Sequence, residues 1–405
     1  MASYCPSRSE NHSESDSDVI MSPSCATGFP FHVDPTDAAR RLSDSGDTGL
    51  PSRAQDVPVV YNRYPRKIMI CSSKTDDAVI KARNELVEHI KEHYDCIVIV
   101  HDRILPTIEA ETEKLWGQVH NLYTGHSSLH NQNDDSHIEY REIDTQYVEL
   151  IIVIGGDGTI LKVIKMFPHI IPPVIGLSMG SMGYMAKFNM SEVKETLKGI
   201  CDVGITVSRL KMLHVEIYSD TGELIARRNA LNECVVDRGL SPSITTLDVY
   251  YKGTYFTTVT GDGLLISTPS GSTAYSMAAG GPIVHPAVPS MLFTVICPHS
   301  ISYRPVILPI DGVIDVIVPS DNRGCARLCV DGNYHCNLKQ GYYVRICASK
   351  QAFPLVLPNN TQTFEEWIRA LREHLHWNFR VRQKHIAIDT QDTYTQVEKE
   401  FGETQ

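Results

Sequence analysis

Val148-Glu149-Leu150-Ile151-Ile152-Val153-Ile154, followed at once by Gly155-Gly156-Asp157-Gly158-Thr159, is the stretch whose reading decides the fold. Apart from Glu149 the first run is apolar without alternation, as in a strand buried on both faces. After the glycines, Ile160, Leu161, Val163 and Ile164 recur at helical spacing as far as Met166, and Phe167-Pro168 closes the helix. Pro173-Val174-Ile175-Gly176-Leu177 is the next strand. Upstream, Lys67 to Cys71 and Cys96 to Val100 are similar short runs. Between them Val79, Ala82, Leu86 and Ile90 keep helical spacing after a capping-type Ser73-Lys74-Thr75. Strand, helix, strand, repeated, predicts an α/β domain: a Rossmann-like parallel sheet covered by helices.

Working outward, the texture changes after Asp202. Leu213 to Tyr218 alternates, Leu247 to Tyr255 reads as strand and turn, and 313–318, 326–330 and 342–348 are further short strands. A β-rich C-terminal domain is expected there. Phe364, Trp367, Ile368, Leu371 and Leu375 form the stripe of an amphipathic helix that packs on the core. The expected division is a Ser- and acid-rich tail over 1–60 and the α/β domain over 62–205. A long polar insertion at 117–145 follows a helical turn at 109–116. The β-rich domain covers 206–350, a C-terminal segment with the helix 351–383, and a polar tail 384–405.

A formal net charge of -11 argues against nucleic acid and anionic membrane as partners, since both require a basic surface. It leaves room for a local anion site. No run approaches the ~20 apolar residues of a membrane span. The start of the chain is acidic and carries neither a secretory nor a mitochondrial signature. The eleven cysteines are scattered and give no disulfide framework, which points to the cytoplasm, with the nucleus as an alternative.

Two regions carry chemistry. In the first, Gly155, Gly156 and Gly158 allow a tight turn at a helix N-terminus, where backbone N–H groups approach phosphate oxygens. Asp157 repels phosphate, so its presence there suits a base for a hydroxyl nucleophile or a partner for magnesium. Thr159 caps the helix or touches a phosphate. The competing structural reading makes Asp157 merely the helix N-cap. The chain has no Gly-x-x-x-x-Gly-Lys-Ser/Thr loop and no protein-kinase His-Arg-Asp set. The second region, Gly261 to Pro282, contains Asp262 and the run Ser267-Thr268-Pro269-Ser270-Gly271-Ser272-Thr273-Ala274-Tyr275-Ser276-Met277-Ala278. Small residues let a flat ring or a diphosphate lie against backbone, hydroxyls give neutral hydrogen bonds, and Asp262 can fix an amide or hydroxyl.

With Asn232-Glu233, Cys297-Pro298-His299-Ser300, Arg304 to Pro309 and Val330-Asp331-Gly332 in order and spacing, these regions resemble the NAD kinase family from about Pro65 to Gln383. The C-terminal stretch around Trp367 and Trp377 is similar to its eukaryotic, fungal-type branch. Gly-Gly-Asp-Gly-Thr alone is shared with diacylglycerol and sphingosine kinases; the long second block singles out NAD kinases. The resemblance implies the family's two-domain fold, with the dinucleotide between the domains. It implies ATP-dependent phosphorylation of the adenosine-ribose 2′-hydroxyl of NAD or NADH, with Mg²⁺ or another divalent cation and no metal-binding residues of its own assigned. It further implies Asp157 as proton acceptor, bordering the ribose with Gly158. Tyr184, Asn232, Glu233, Asp262, Thr273, Ala274, Tyr275, Ser276 and Ala278 match dinucleotide contacts, and Asn333 is a weaker match. Dimers or tetramers are expected by the same resemblance.

Gly180 to Met185 departs from the family's usual Ser-Leu-Gly-Phe-Leu, Cys234 stands where an apolar residue is common, and Thr260 stands where some bacterial members carry a base. Cys325, Cys329, His335 and Cys336 do not have zinc-site spacing. His285 and His299 read as core histidines. Arg209, Lys211, Arg238 and Lys252 are candidates for a triphosphate clamp. Two rival readings are a lipid kinase and an NAD(H)-binding protein without turnover.

Overall fold

The computed structural model describes residues 31–35, 55–72, 76–101, 148–167, 170–180, 183–322 and 324–379. Most of both expected tails, the 109–116 turn and the 117–145 insertion lie outside them, as do Ser181 and Met182. The first half supplies β1 (Phe31–Val33), β2 (Asp56–Tyr61), β3 (Lys67–Ser72), β4 (Ile97–His101), β5 (Leu150–Ile154) and β6 (Val174–Leu177). Its helices are α1 (Asp77–His93), α2 (Asp157–Met166) and α3 (Met190–Gly199). The order β6-β5-β3-β4 is parallel throughout. The chain leaves β3 toward β4 and leaves β5 toward β6, so the connections diverge at the carboxyl ends of β3 and β5. That divergence opens the crevice where α/β sheets bind ligands. Gly155 is the first residue beyond β5 and stands at that crevice.

The apolar runs do what their patterning predicts. Ile68, Ile70, Leu150, Ile152, Ile154 and Ile175 face α1 and α3 on one side of the sheet. Met69, Ile151, Val153 and Val174 face α2 on the other. Both faces are covered, so a strand without alternation is the stable choice.

The second half supplies β7 (Ile205–Tyr218), β8 (Leu224–Ala230), β9 (Glu233–Asp237), β10 (Thr245–Tyr251), β11 (Thr254–Gly261) and β12 (Gly263–Ser267). There follow β13 (Ser290–Ile296), β14 (Val306–Pro309), β15 (Val313–Ile317), β16 (Ala326–Val330), β17 (Asn333–Leu338) and β18 (Tyr343–Leu357). The short helix α4 (Tyr275–Ala278) follows β12, and α5 (Thr363–Glu373) follows β18. A six-stranded antiparallel sheet, β14-β13-β12-β9-β16-β17, packs on β7, β8, β10, β15 and β18 around Val215, Ile217, Leu264, Ile266, Phe293 and Ile346. The long strands β7 and β18 were only half visible in sequence. They pair with each other, and β18 also joins β6, so one twelve-stranded sheet runs through both halves of the chain.

One detail of the deciding stretch differs from its reading. The strand begins at Leu150, not Val148, because Glu149 is a junction. Its buried carboxylate accepts from Arg63 Nη2 at 2.8 Å, Arg63 Nη1 at 3.1 Å and the Arg66 N–H at 2.7 Å. Arg63 also reaches Asp34, at 3.1 Å. Helix α5 differs as well. Its buried positions are Thr363, Glu366 and Ala370, while Phe364 and Ile368 of the expected apolar stripe are exposed. The helix packs by the side that carries Thr363, Glu366 and Ala370, with Trp367 half-buried beside them, because the core offers Glu366 a buried cation, described below.

Removing Arg63 strips a buried carboxylate of its charge partner. Arg63→Ala is expected to lower the unfolding free energy by about 3 kcal/mol in denaturant titration; a change within experimental error would show that Glu149 needs no counter-ion.

Candidate active site

The turn after β5 is tight for a steric reason. Gly155 has φ +148°, and a Cβ there would stand 2.6 Å from Thr159 Oγ1. Thr159 itself is buried beneath the turn. Gly156 is the N-cap of α2 and Asp157 its first helical residue. The Asp157 carboxylate does not fold back on its own helix. Oδ2 accepts from the Tyr184 N–H at 2.8 Å, and Oδ1 accepts from the Met185 and Ala186 N–H groups at 2.9 Å each. The N-cap reading of Asp157 is therefore set aside. Two more glycines admit this grip. A Cβ on Gly183 would lie 2.3 Å from Asp157 Oδ1, and one on Gly176 in β6 would lie 2.9 Å from the Met185 oxygen. A carboxylate offers about four acceptor lobes. Among the described residues three are taken and one on Oδ2 stays open, in a residue that is only half-buried.

A second aspartate repeats the device. Asp331, between β16 and β17, has φ +48° and is buried. Its Oδ2 accepts from the Leu231 N–H at 2.9 Å, and its Oδ1 from Asn232 at 2.8 Å and Glu233 at 3.1 Å. The Asn232-Glu233 pair is thereby fixed at the start of β9. The second sequence block closes over it. The Thr268 N–H donates to the Asn232 oxygen at 2.9 Å, and a Cβ on Gly271 would stand 2.1 Å from that oxygen. The Tyr275 N–H faces the Glu233 carboxyl. Burial, with Asp331 adding to it, pushes Glu233 up to about 8, so it is mainly protonated at neutral pH, and its buried Oε2 has no hydrogen-bond partner among the described residues. Burial likewise pushes Asp331 up to about 6 against its three N–H donors.

The two centres share a core. Leu231, next to Asn232, packs in one apolar cluster with Ile160, Val163 and Ile164 of α2, and Tyr184 lies against it. Lys165, two turns along α2 from Asp157, feels the Asp331 charge. Burial, reinforced by Arg228, draws its ammonium below the usual lysine range. Burial, with Arg228 and Lys165, draws His335 down to about 4. Lys187 follows the Asp157 turn directly. Burial pulls its ammonium down, while Glu366 and, more weakly, Asp157 oppose that.

The other residues singled out from sequence take three places. Ser276 is buried and reaches Thr294 at 3.4 Å; Thr273 Oγ1 donates to the Ser270 oxygen at 3.3 Å; Ala274, Tyr275 and Ala278 line the open side. Asp262 bonds Arg238 Nε at 2.8 Å rather than the Asp157 turn, and its charge reaches the Tyr275 phenol. Gly158 is exposed beside Asp157, and Asn333 Nδ2 donates to the Asp331 oxygen at 2.8 Å. Of the clamp candidates, Arg238 is held by Asp262, and Lys252 by Asp311 at 3.1 Å. Arg209 and Lys211 alternate with Leu210 and Met212, which join the α2 core, so they face away from α2. In the sequence Asp331 stands out only as part of the Val330-Asp331-Gly332 motif, and no pattern marks Lys165 or Lys187. Each owes its position to partners far along the chain.

Comparison with known proteins gives concordant matches. Residues 60–205 match the ATP-NAD kinase N-terminal domain and residues 231–357 the ATP-NAD kinase C-terminal domain. A putative NAD kinase 3 of Oryza sativa subsp. japonica is 35% identical over 351 residues, covering 84% of this chain and 67% of its own. The ATP-NADH kinase YEF1 of Saccharomyces cerevisiae is 31% identical over 385 residues, covering 92% of this chain and 74% of its own. The crystal structure of yeast NADH kinase complexed with NADH superposes with a TM-score of 0.68 at 24% identity, over 87% of this chain and 97% of that one. The last likeness bears on the fold.

The Glu233 proton has a measurable consequence. Between its ordinary value of 4.5 and about 8 the folded protein holds a proton that the unfolded chain has released. Stability therefore falls as pH rises through that window. Glu233→Gln lacks this loss, and its stability relative to the parent is expected to grow between pH 5 and pH 8 by on the order of a few kcal/mol. Denaturant unfolding at the two pH values checks this; a difference independent of pH would refute it.

Proposed function

Because the chain belongs to the NAD kinase family, we propose that Asp157 is the residue at which its phosphoryl transfer occurs. The enzyme is an ATP-dependent kinase that phosphorylates NAD(H) to NADP(H). The observation that carries the site is the open acceptor on Asp157 Oδ2, at the switch point of the parallel sheet and held in place by three N–H groups.

In this reading the adenosine ribose lies against Gly158 and Asp157 with its 2′-hydroxyl donating to Oδ2. The 2′-oxygen bonds to the γ-phosphorus of ATP, the bond from that phosphorus to the bridging oxygen breaks, and ADP leaves. The hydroxyl proton passes to Asp157. The transition state is loose, so the nucleophile needs orientation more than early deprotonation, and a fixed acceptor meets that demand. Asn232 and the neutral Glu233 carboxyl offer an amide and a hydrogen-bond donor to the dinucleotide. Thr273, Ala274, Tyr275 and Ala278 form the surface it lies on, with the buried Ser276 supporting it from beneath, and Asp262 stands at the far end of Tyr275 to fix a polar group. Lys165 and Arg228 contribute positive charge on the Asp331 side.

No group of three or more His, Cys, Asp or Glu among the described residues is arranged to hold a metal ion. A divalent cation fits here only as magnesium commonly binds, through substrate phosphates with at most one carboxylate, for which Asp157 is the candidate. Bound so, it would neutralise charge on the donor phosphates. Assembly into homo-oligomers and a cytoplasmic or nuclear location belong to the same proposal. Among the described residues no helix is long and apolar enough to cross a membrane.

Two measurements test the site. Asp157→Asn is expected to lower kcat by roughly 10² or more with NAD affinity by calorimetry within a few-fold of the parent; substantial turnover in this variant would sink the assignment. Gly183→Ala, which forces a methyl against Oδ1, is expected to lower kcat about tenfold while leaving the KM for NAD little changed. An unaltered kcat would show that the grip on Asp157 is dispensable.

A further inference from the structure

Lys187 and Glu366 form a salt bridge, Nζ to Oε2 at 3.3 Å, with side chains 7% and 3% exposed. An ion pair so deep is expensive to desolvate and is weak evidence for stability. Its surroundings suggest another use. Lys187 directly follows Tyr184, Met185 and Ala186, whose N–H groups hold Asp157. Its Nζ also lies 5.5 Å from the centre of the Tyr184 ring. The cation is thus tied to both ends of the turn that positions the proposed base.

Glu366 in turn is fixed by its own segment, just before α5 and within it. Thr361 Oγ1 donates to its Oε1 at 3.2 Å, and Arg369 holds Oε2. The helix N-terminus is anchored where the Thr363 N–H donates to Asp56 on β2 at 2.7 Å. Trp367 stacks edge-on against His285, at 4.9 Å between ring centres, just beyond the second sequence block. So α5 touches β2 through Thr363, the Asp157 turn through Glu366 and the end of the dinucleotide block through Trp367.

We propose that Lys187 is a positioning residue for phosphoryl transfer: with Glu366, it makes α5 a strap that holds the Gly183–Ala186 turn, and through it Asp157, in register. The inference rests on the reading of Asp157 as the base. No hydrogen bond or salt bridge joins Lys187 to Asp157 among the described residues, although the Asp157 charge reaches Lys187. Lys187 acts chiefly through the three N–H groups and the Tyr184 ring. Losing the pair should therefore blunt the chemical step and spare binding.

The test uses the full chain with Lys187→Met and Glu366→Gln combined, which removes both charges and leaves neither buried alone. Rates are expressed per NAD-binding site, counted by titration, so loss of folded protein is not mistaken for slow chemistry. The expected result is a kcat about tenfold lower, with KM for NAD and for ATP within twofold and thermal unfolding close to the parent. A parental kcat in the folded double variant overturns the proposal, as does a loss confined to the number of binding sites. If the double variant does not fold, Glu366→Asp decides, because it keeps the charge and withdraws the carboxylate by one methylene. A several-fold fall in kcat at constant KM supports the strap and an unchanged kcat overturns it. Asp157→Asn run alongside separates the two readings. Turnover there refutes Asp157 as base whatever the strap variants do; inactivity there with unaffected strap variants refutes only the strap.

Discussion

Three successive N–H groups on one carboxylate govern the layout of this protein. For Asp157 to receive them, the turn from Gly183 to Ala186 must lie against the ends of β5 and β6. That closeness requires Gly176 in the strand, Gly183 in the turn and Gly155 beneath Thr159, since a Cβ at any of them would stand within 3 Å of a neighbouring atom. The reward is orientation. A side chain at the first turn of a helix has rotamer freedom, and here every alternative rotamer forfeits hydrogen bonds to three buried-side donors. A hydroxyl approaching the open lobe of Oδ2 meets an acceptor already aimed, which is the preorganisation that phosphoryl transfer rewards.

Asp331 uses the same geometry for a different task, and the contrast helps to assign roles. Both aspartates take three consecutive N–H groups, and both pin a short irregular segment to a strand end. Asp331 is buried, and its oxygens look onto the backbone they fix and onto Lys165. Asp157 is half-open at the crevice of the parallel sheet. Equal hydrogen bonding with unequal exposure separates an anchor from a residue that can meet a substrate. Glu233 stands between these cases: it is buried, its carboxyl is pushed up to about 8, and its Oε2 has no partner among the described residues, as expected for a carboxyl that awaits a polar ligand.

The parallel sheet was legible in the sequence because its strands are covered on both faces, and that forces uninterrupted apolar runs such as Leu150–Ile154. The glycine turn was legible because no other residue tolerates its crowding. The partners of Asp157 were not, since Tyr184, Met185 and Ala186 offer backbone groups that carry no signature in residue type. Nor was the Asp331 grip, whose donors lie about a hundred positions upstream. Helix α5 shows the limit of periodicity. Phe364, Trp367, Ile368, Leu371 and Leu375 give a good apolar stripe, yet the buried positions are Thr363, Glu366 and Ala370, and of the stripe Trp367 packs inward on His285 while Phe364 and Ile368 are exposed. A stripe says which face prefers to leave water. It cannot show that an elongated core side chain, Lys187, arrives from elsewhere with a charge that must be met.

The change of texture near Asp202 suggests two domains joined by a connection, but the backbone joins them more firmly. Strand β7 pairs with β2 through Ile205 to Ser208 and with β8 from Leu213 onward. Strand β18 follows it from Tyr343 opposite Tyr218 to Leu357 opposite Thr206, with one irregularity between Ala348 and Ala352. The same two strands thus carry the edge of the parallel sheet and one face of the antiparallel sandwich. Asp157 belongs to the first and Asn232-Glu233 to the second. If Asp157 is the base and Asn232-Glu233 orient its substrate, as proposed, they must keep their relation to within about 0.5 Å. A flexible linker would spend substrate binding energy on restoring that relation at every turnover. A continuous sheet supplies it in the fold, which leaves the short turn from Gly183 to Ala186 as the segment whose position most needs support from outside the sheet.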